Sequence, residues 1–451
     1  MRIRLPKPAS NVLTIGALLG ACLMTMWPSL YNQFPLYFSD SAVYISGASV
    51  SGIPPWYPLM ARALCRFSLW LPLIVSGILT IFVAWCLIAR WFLLRLTPML
   101  IVITTTLVLT KLPWVNSLLM PDIYGGLSCA AVLALVGRFD FKPTSIWLLA
   151  IIFAGLLFQT ASLGVISLML AVSVIASFAW RNVHSAISIV LASVVTIVFS
   201  SNLVRFNNLS PNPSAAVIVF NKSVYSGVAQ QYLAKNCDRA HFAVCDYLSE
   251  LIPMQGEKGQ PFLWKDSSDG KSVADLTLGW SDPSGEYEKL VVDITLQYPL
   301  EVVRSALVDT FTLLLAEGEI LEKYTDEWPF GGLYASYKEA FERAKQQQSA
   351  LPQNAVNIVA QFTTGGSALL LAIFAVIGIQ RQIILLTLGT WIANATVHAT
   401  LVGAFPRYQD KVNWLLPFIL LATIAEMANY NKKKYKEQAR SDCQSMATSA
   451  P

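Results

Sequence analysis

Three aspartates of this chain have a residue type and a sequence position that suit chemistry at a membrane surface. Asp40, Asp122 and Asp410 each lie in a short connection between long apolar runs, whereas twenty of the 27 Asp and Glu residues fall between residues 203 and 352. A carboxylate in such a position can take a proton from an attacking hydroxyl group. The topology predicted below places the three connections on one side of a membrane, so we expect one site.

Asp40 and Asp122 each have a structural alternative. Both precede segments that can form helices, and aspartate is well suited to cap a helix N-terminus. The functional interpretation makes Asp40 a general base in a partly buried aromatic loop that includes Tyr44, and Asp122 a second acid in the same cavity. The pair Gly125-Gly126 would let neighbouring helices approach closely at that point.

Later connections contribute groups that could bind a substrate. Arg407 can hold a phosphate through its planar fork with Tyr408 beside it, although an arginine here could also simply extend to the interface. Gln159 lies in a small polar break between two apolar runs, which is tolerated where it lines a cavity. His398 lies four residues after Asn394 on one helix face, which fits a cavity wall or an interhelical hydrogen bond.

The composition excludes an ordinary soluble protein. The chain has 451 residues, of which 55% are hydrophobic and 13% charged, and its mean hydropathy is +0.53. Soluble domains carry about 25% charged residues, and a membrane-crossing helix needs about 20 apolar ones. Ten apolar runs of roughly that length are present: 11–29, 69–94, 97–113, 122–137, 145–159, 162–180, 184–203, 356–379, 383–404 and 412–429.

The basic residues predict the orientation of these runs. Lys and Arg recur at alternate connections and in the C-terminal tail, which places both termini in the cytoplasm. The polar insert between residues 203 and 352 is then outside the cell membrane, and its thirteen basic and twenty acidic residues give it a charge of −7. We therefore expect a multi-pass protein of the bacterial inner membrane with a periplasmic insert and an uncleaved first span.

The predicted fold class is an all-α polytopic membrane protein with about ten transmembrane helices, helices on the outer surface and a mainly helical extracytoplasmic insert. An N-terminal bundle of about seven spans, with an outer loop at 30–68, is followed by the insert, three further spans and a basic cytoplasmic tail. The boundaries that we assign to these four parts are 1–203, 204–352, 353–430 and 431–451.

Cysteine and histidine positions do not predict a metal site. Cys237 and Cys245, eight positions apart in the insert, could form a disulfide in an oxidising periplasm or remain two thiols. The three histidines are scattered, and the chain has no phosphate-binding Gly-rich motif, so we expect no metal and no cofactor. The net charge of +5 follows from the basic cytoplasmic positions, and nucleic acid need not be invoked as a partner.

Several of these features together resemble the GT-C superfamily of polytopic glycosyltransferases, which includes bacterial aminoarabinose transferase and protein mannosyltransferases. The similarity lies in Ser39-Asp40-Ser41 ahead of surface helices, in Pro121-Asp122, in the multi-span bundle and in the late loop with Arg407-Tyr408. It covers the layout of most of residues 11–200 and 356–430. Paired acids in the first loop and a Trp-Trp-Asp motif, which some relatives carry, are absent from this sequence.

The resemblance implies a function and a set of roles. The donor would be a sugar on a polyprenyl phosphate, and the acceptor a lipid, an envelope glycan or a protein at the outer face. Asp40 would be the base, Asp122 a second acid of the cavity, and Arg407 with Tyr408 would lie near the lipid phosphate. The reaction would be a metal-independent inverting displacement, in which a hydroxyl attacks the anomeric carbon while phosphate leaves.

Two other functions fit the same sequence. A transporter or lipid flippase also uses a membrane cavity with a few charges. However, the two halves of the chain are unequal, and the polar groups concentrate at the outer face rather than at the midplane. The second alternative is a non-catalytic membrane subunit whose outer domain binds a partner. In an enzyme, Asp40, Asp122 and Arg407 should converge on one cavity, whereas in a scaffold each should be satisfied by its neighbours.

Overall fold

The protein is helical throughout the part of the chain that the computed structural model describes. Those residues are 8–46, 54–137, 143–159, 162, 164–169, 215–256, 261–264, 271–279, 285–316, 318, 321 and 332–448. Leu36 and Leu118 form an isolated parallel bridge, and no β-strand is assigned among the described residues. The all-helical fold class is thereby confirmed for the described residues.

The longer helices among the described residues are α1 to α18 in chain order, and five of them lie in the insert. The first nine are α1 (Pro8–Met24), α2 (Trp27–Asn32), α3 (Ser41–Ser46), α4 (Trp56–Cys65), α5 (Leu71–Trp91), α6 (Leu96–Leu109), α7 (Leu112–Ser117), α8 (Asp122–Gly137) and α9 (Pro143–Phe158). The insert contains α10 (Ala215–Tyr225), α11 (Val228–Ala240), α12 (Glu286–Gln297), α13 (Pro299–Leu315) and α14 (Lys338–Arg343). The last four are α15 (Gln353–Val376), α16 (Arg381–Leu401), α17 (Pro406–Asn413) and α18 (Leu415–Thr448).

The insert also contains several shorter helical turns. These are the α-helical turns Leu248–Leu251, Pro261–Trp264 and Val273–Leu276, and the 3-10 turns Ala243–Tyr247, Ile252–Met254 and Gly332–Tyr337.

Four helical segments in the described part of the chain are long and apolar enough to cross a membrane. They are Leu71–Trp91, Gln353–Val376, Arg381–Leu401 and Pro406–Asn431. The predicted runs at 97–113, 122–137 and 145–159 form shorter apolar helices, and the run at 11–29 is divided between α1 and α2. The run at 184–203 and most of 162–180 lie outside the described residues. A helical membrane protein is therefore supported, whereas ten spans are not shown.

Helix α8 is the centre of the N-terminal bundle. Every residue from Asp122 to Leu135 is buried, and the helix packs mainly against α9 and α5. A helix that is apolar on all sides is stable only when its whole circumference is covered. Gly155 of α9 allows the closest approach, because a side chain there would overlap the hydroxyl group of Ser128.

The first loop and the end of the insert pack together. Phe341 of α14 makes edge-to-face contacts with Phe34 and Tyr37, at centroid distances of 5.6 and 5.7 Å. The backbone N–H of Tyr37 donates to the amide oxygen of Gln346 over 3.0 Å, and the amide nitrogen of Gln346 donates to the carbonyl of Tyr37 over 2.7 Å. Residues 334–346 are thus anchored to the loop that carries Asp40.

The rest of the insert has a separate aromatic core. Phe220, Phe262 and Tyr287 meet at centroid distances of 5.2 to 5.9 Å and are fully buried. Cys237 at the end of α11 is joined to Cys245 by a disulfide. The buried residues of this core run from Val217 to Ile294, whereas Leu313, Leu321 and Phe341 belong to other clusters. The assigned part 204–352 therefore does not pack as one unit.

Candidate functional site

Arg407, at the start of α17, lies between the first loop and the C-terminal helices. Its guanidinium group donates to the carboxylate of Asp40 over 3.4 Å and to the hydroxyl of Tyr408 over 3.1 Å. The same group lies 4.6 Å from the ring centroid of Phe38, within the range of a cation–π contact. The first loop therefore supplies both the counter-charge and the aromatic surface that hold this arginine.

Gln159, at the end of α9, connects an acid to a base. Its amide nitrogen donates to the carboxylate of Asp122 over 2.9 Å, and its amide oxygen accepts from the ammonium group of Lys411 over 3.0 Å. The hydroxyl of Ser162 donates to the same oxygen over 3.0 Å. Asp122 is 4% exposed and Lys411 1%. Gln159 thus places a buried cation near a buried carboxylate.

His398, on α16, completes this buried network. Its Nε2 atom lies 3.1 Å from the ammonium nitrogen of Lys411, and its Nδ1 atom lies 2.9 Å from the carbonyl oxygen of Asn394. An ammonium group can only donate, so Nε2 must accept and Nδ1 must carry the hydrogen. The ring also stacks on Tyr408 at 4.6 Å. His398 is fully buried, and it positions Lys411 and Tyr408.

Lys111 and Asp410 form a second buried acid–base pair. The ammonium nitrogen of Lys111, between α6 and α7, lies 2.8 Å from a carboxylate oxygen of Asp410, and the two side chains are 7% and 6% exposed. Burying such a pair costs solvation energy that only good geometry and further hydrogen bonds recover. Two buried charges at this position therefore indicate more than membrane anchoring.

Some of these charged residues, together with apolar neighbours, line a partly open cavity. Its charged lining comes from Lys111, Asp122, Arg407 and Asp410. Its apolar lining comes from Phe38, Trp114, Val115, Leu118, Met120 and Leu321. The cavity combines an apolar wall with two cationic and two anionic side chains, and a mainly apolar wall with a few polar groups is typical of small-molecule sites.

Trp114 gives this cavity an unused hydrogen-bond donor. The side chain is 4% exposed, and its indole N–H has no hydrogen-bond partner among the described residues. A buried donor left without a partner costs free energy, and each such group in a native structure calls for an explanation. A ligand oxygen in the cavity that Trp114 lines would provide the missing acceptor.

Two glycines allow the elements of the site to meet. A side chain at Gly126 of α8 would overlap the backbone carbonyl of Lys411, and one at Gly125 would press against the side chains of Gln159 and Ser162. The predicted close approach at this glycine pair is present, and it brings α8 directly onto α17. The backbone of α17 cannot move away as a flexible side chain could.

Tyr44 lies beside the site in an aromatic cluster. Its ring contacts Tyr57 at 5.1 Å, and Tyr57 in turn contacts Phe158 at 5.6 Å. Burial, followed by the nearby charges of Asp40 and Asp122, raises the pKa of Tyr44 well above its usual value. The hydroxyl therefore keeps its proton at neutral pH, and the side chain can support the site or donate a hydrogen bond.

No family model, no curated protein and no solved structure matches this chain.

The structure brings the predicted site residues together at one end of the bundle. Asp122 and Arg407 line the cavity, and Asp40 reaches it through Arg407. Gln159 and His398 act on Lys411 from behind the cavity wall. The remaining predicted residues, Tyr408 and Tyr44, pack against Arg407 and within the aromatic cluster, respectively.

Sequence reasoning missed three residues of this site. The sequence motifs described above assign no role in the site to Lys111, Lys411 or Trp114. The position of each lysine between two apolar runs could have indicated a role. A lysine in or near the membrane is energetically costly, so it is usually functional. Among the described residues, no group of His, Cys, Asp and Glu side chains could hold a metal ion.

Proposed function

We propose that the chain is an integral membrane glycosyltransferase that moves a sugar from a polyprenyl-phosphate-type lipid donor to a lipid, glycan or protein acceptor at the outer face of the membrane. One observation carries the proposal. Asp122 and Arg407 line the same cavity, and Asp40 is held against Arg407 although the two residues are 367 positions apart in sequence. Two of the three residues named by the enzyme interpretation thus line one cavity and the third contacts it through Arg407, which supports the proposal.

The cavity suits a lipid phosphate in two respects. The guanidinium group of Arg407 and the ammonium group of Lys111 are the cations at its wall, and both groups bind phosphate oxygens well. The indole N–H of Trp114 can donate to a further oxygen. The apolar wall around Leu118 and Met120 offers a contact for the first isoprene units of the carrier.

The proposed reaction is a single displacement. The oxygen of the acceptor hydroxyl forms a bond to the anomeric carbon, and the bond from that carbon to the phosphate oxygen breaks, with its electron pair leaving on the phosphate. The hydroxyl proton passes to a carboxylate. Cations at the cavity wall offset the negative charge that develops on the leaving phosphate, so the proposed reaction needs no metal.

We propose different roles for the two predicted carboxylates. Asp122 lines the cavity and is the proposed general base, because a base must come within hydrogen-bond reach of the proton that it takes. Asp40 is a positioning residue that acts through Arg407. This assignment reverses the order suggested by the resemblance, in which Asp40 is the leading base.

The second candidate is a non-catalytic membrane subunit. Its supporting observation is that each carboxylate of the site has a partner: Arg407 for Asp40, Gln159 for Asp122 and Lys111 for Asp410. Such pairs can hold helices together without any chemistry. The insert would then be the part that meets a partner.

Transfer assays can separate the two candidates. Membranes containing wild type, Asp122→Asn or the insert control Asp238→Asn would be given synthetic polyprenyl phosphates that carry labelled hexoses or pentoses. We expect Asp122→Asn to lower transfer by about 10²- to 10⁴-fold, the usual contribution of a general base. The exposed control should keep wild-type activity.

A further pair of variants tests the positioning role of Asp40. Asp40→Asn and Arg407→Lys should both weaken donor binding, raising the KM for the lipid donor more than they lower kcat. Transfer at the wild-type rate by Asp122→Asn would refute the proposed base. Failure of correctly folded wild type to transfer any sugar of the panel would favour the subunit function.

A further inference from the structure

Helix α13 presents an apolar stripe that no described residue covers. Outward-facing side chains on this stripe are 54 to 79% exposed: Leu300, Val303, Leu307, Val308, Phe311 and Leu315. Their spacing of three and four residues places them on one face of the helix. The opposite face is buried through Asp309, Thr310 and Leu313. A large exposed apolar face marks a contact surface.

The contacts of α13 show how it lies against the membrane-spanning helix α16. Near its middle, Ser305 and Ala306 share a cavity with Thr400, at the end of α16 that is nearest the insert. Closer to its C-terminus, Leu313 packs on Ala395 and Ala399. As α13 proceeds, its partners therefore lie further from the insert end of α16, so the helix descends alongside the span.

The C-terminus of α13 reaches the interior side of α15. Leu314 and Leu315 share a cavity with Thr364 and Gly365. Thr364 is eleven residues after the start of α15, which corresponds to about 16 Å along the helix axis. The end of α13 therefore lies beside the middle of α15.

After α13, the chain returns along α15 through a ladder of amide side chains. Gln361 donates to the carbonyl of Leu315 over 3.0 Å, and Asn357 donates to the carbonyl of Gly318 over 3.0 Å. Gln353 donates to the carbonyl of Leu321 over 2.8 Å and also accepts from the N–H of Leu321. The three amides are four residues apart and share one helix face.

This ladder meets a requirement of any backbone that is removed from water, which includes backbone at membrane depth. Non-helical backbone in the hydrocarbon region has no water to satisfy its carbonyl groups, and it is tolerated only where protein groups replace the water. Residues 315, 318 and 321 receive that replacement from α15. On a water-facing surface the same carbonyls would need no dedicated partners.

The charged residues of α13 lie in its segment from Glu301 to Asp309. Glu301 and Arg304 lie in its first half and are exposed, as expected near lipid headgroups. Asp309 is compensated by Lys222, which also donates to Ser305 over 2.8 Å. Beyond Asp309 the helix carries no charged residue. The last turns are uncharged, as contact with acyl chains requires, and the next charged residues along the chain are Glu317 and Glu319.

We propose that the last two turns of α13, Leu307–Leu315, are a re-entrant helix end whose exposed stripe contacts the acyl chains of the leaflet on the insert side. The neighbouring spans present the same kind of surface there, with Phe362 of α15 at 78% and Leu401 of α16 at 37% exposure. The proposed placement of α13 is independent of the proposed transferase activity.

The re-entrant end also forms a wall of the candidate site. The cavity beside Leu315 is lined by Lys111 and Asp410, which line the first cavity as well. Gly318 packs directly on the side chain of Lys111. Helix α13 and its return segment thereby separate the buried ion pair from the acyl chains.

Collisional spin-label measurements test this placement. The full-length protein, with its free cysteines replaced and the Cys237–Cys245 disulfide kept, would carry one label at Phe311→Cys in phosphatidylcholine–phosphatidylglycerol vesicles. Phe362→Cys is the lipid-facing control and Glu288→Cys, on an exposed position of α12, the water-facing control. Leu307→Cys repeats the measurement should Phe311→Cys fail to fold.

We expect the ratio of oxygen to nickel-chelate collisions at Phe311→Cys to resemble that at Phe362→Cys and to exceed that at Glu288→Cys several-fold. The label at Leu300→Cys should give a lower ratio than Phe311→Cys, because it lies nearer the headgroups. A ratio like that of Glu288→Cys would overturn the proposal in favour of an aqueous surface. Protection from both reagents would overturn it in favour of a protein partner.

Discussion

Charged side chains are buried to different extents at the two ends of the helical bundle. At the end near the insert, four charged side chains, those of Lys111, Asp122, Asp410 and Lys411, are each at most 7% exposed, while Asp40 and Arg407 beside them are partly exposed. At the opposite end, Glu426 is half-buried, and it accepts from the backbone N–H of Leu93 over 3.0 Å and also from Gln380.

The difference in burial indicates which charged residues have a role other than stabilising the fold. A half-exposed charge at a helix end can reach water or headgroups and costs little. A buried ion pair can often be replaced by apolar residues with no loss of stability, so its retention needs another reason. We attribute the buried charges near the insert to the candidate site, and the contrast between the ends can be tested by substitution.

The largest expected effect is at the buried ion pair. Lys111→Met removes the ammonium group that lies 2.8 Å from Asp410 and leaves a carboxylate in a buried setting. We expect a loss of about 3–5 kcal/mol of stability, seen as a lower unfolding temperature in detergent. The double variant Lys111→Met/Asp410→Leu should recover most of that loss, because both charges are then gone. A double variant no more stable than the single one would show that the pair is not the cause.

The disulfide of the insert should have a smaller and more local effect. Cys245→Ser opens a bond that closes a short loop with Cys237, and it should lower the stability of the insert by about 2–3 kcal/mol. Thermal unfolding with and without a reductant measures the change. The buried ion pair is in a different packing unit, so unfolding of the spans should keep its midpoint. A shift of both transitions would mean that the two units unfold together.

The glycine contact between α8 and α17 should give an intermediate to small effect. Gly126→Ala places a methyl group against the carbonyl of Lys411, and the helices must separate, at a cost of about 1–3 kcal/mol. Gly20→Ala in α1 is the matched control, since a side chain there meets no other atom within 4 Å. Equal unfolding temperatures for the two variants would contradict the close contact.

The smallest effect is expected at the opposite end. Glu426→Gln removes the charge and keeps an oxygen that can accept from the N–H of Leu93. We expect a change within about 0.5 kcal/mol, as for most substitutions away from buried networks. A loss as large as that of Lys111→Met would remove the distinction between the two ends.

The sequence was informative about composition and about local features. Long apolar runs predicted a helical membrane protein, and the described residues form apolar helices of which four are long enough to span. The aspartates at Asp40 and Asp122 were singled out from their position between apolar runs. Gly125 and Gly126 were recognised as a point of close approach, which the structure contains. Such features depend on a few adjacent residues, so no knowledge of the whole fold is needed.

The sequence did not predict which distant residues contact each other. Nothing near Gln159 indicates that it joins Asp122 to Lys411, which is 252 positions later. The sequence also did not predict that residues 315, 318 and 321 are hydrogen-bonded to α15. Gln353, Asn357 and Gln361 resemble the polar start of any span. A single chain contains many possible partners for each charge, and only the packing of helices selects among them.

The sequence by itself determined that this protein is helical and associated with a membrane, and that a polar insert interrupts its apolar helices. The physical reason is that transfer of side chains from water to lipid is nearly additive along the chain. Only the tertiary structure decided that Arg407 meets Asp40 at a cavity and that α13 descends beside α16. Those contacts depend on which helix faces fit together, and side-chain shape and close backbone approach determine that fit.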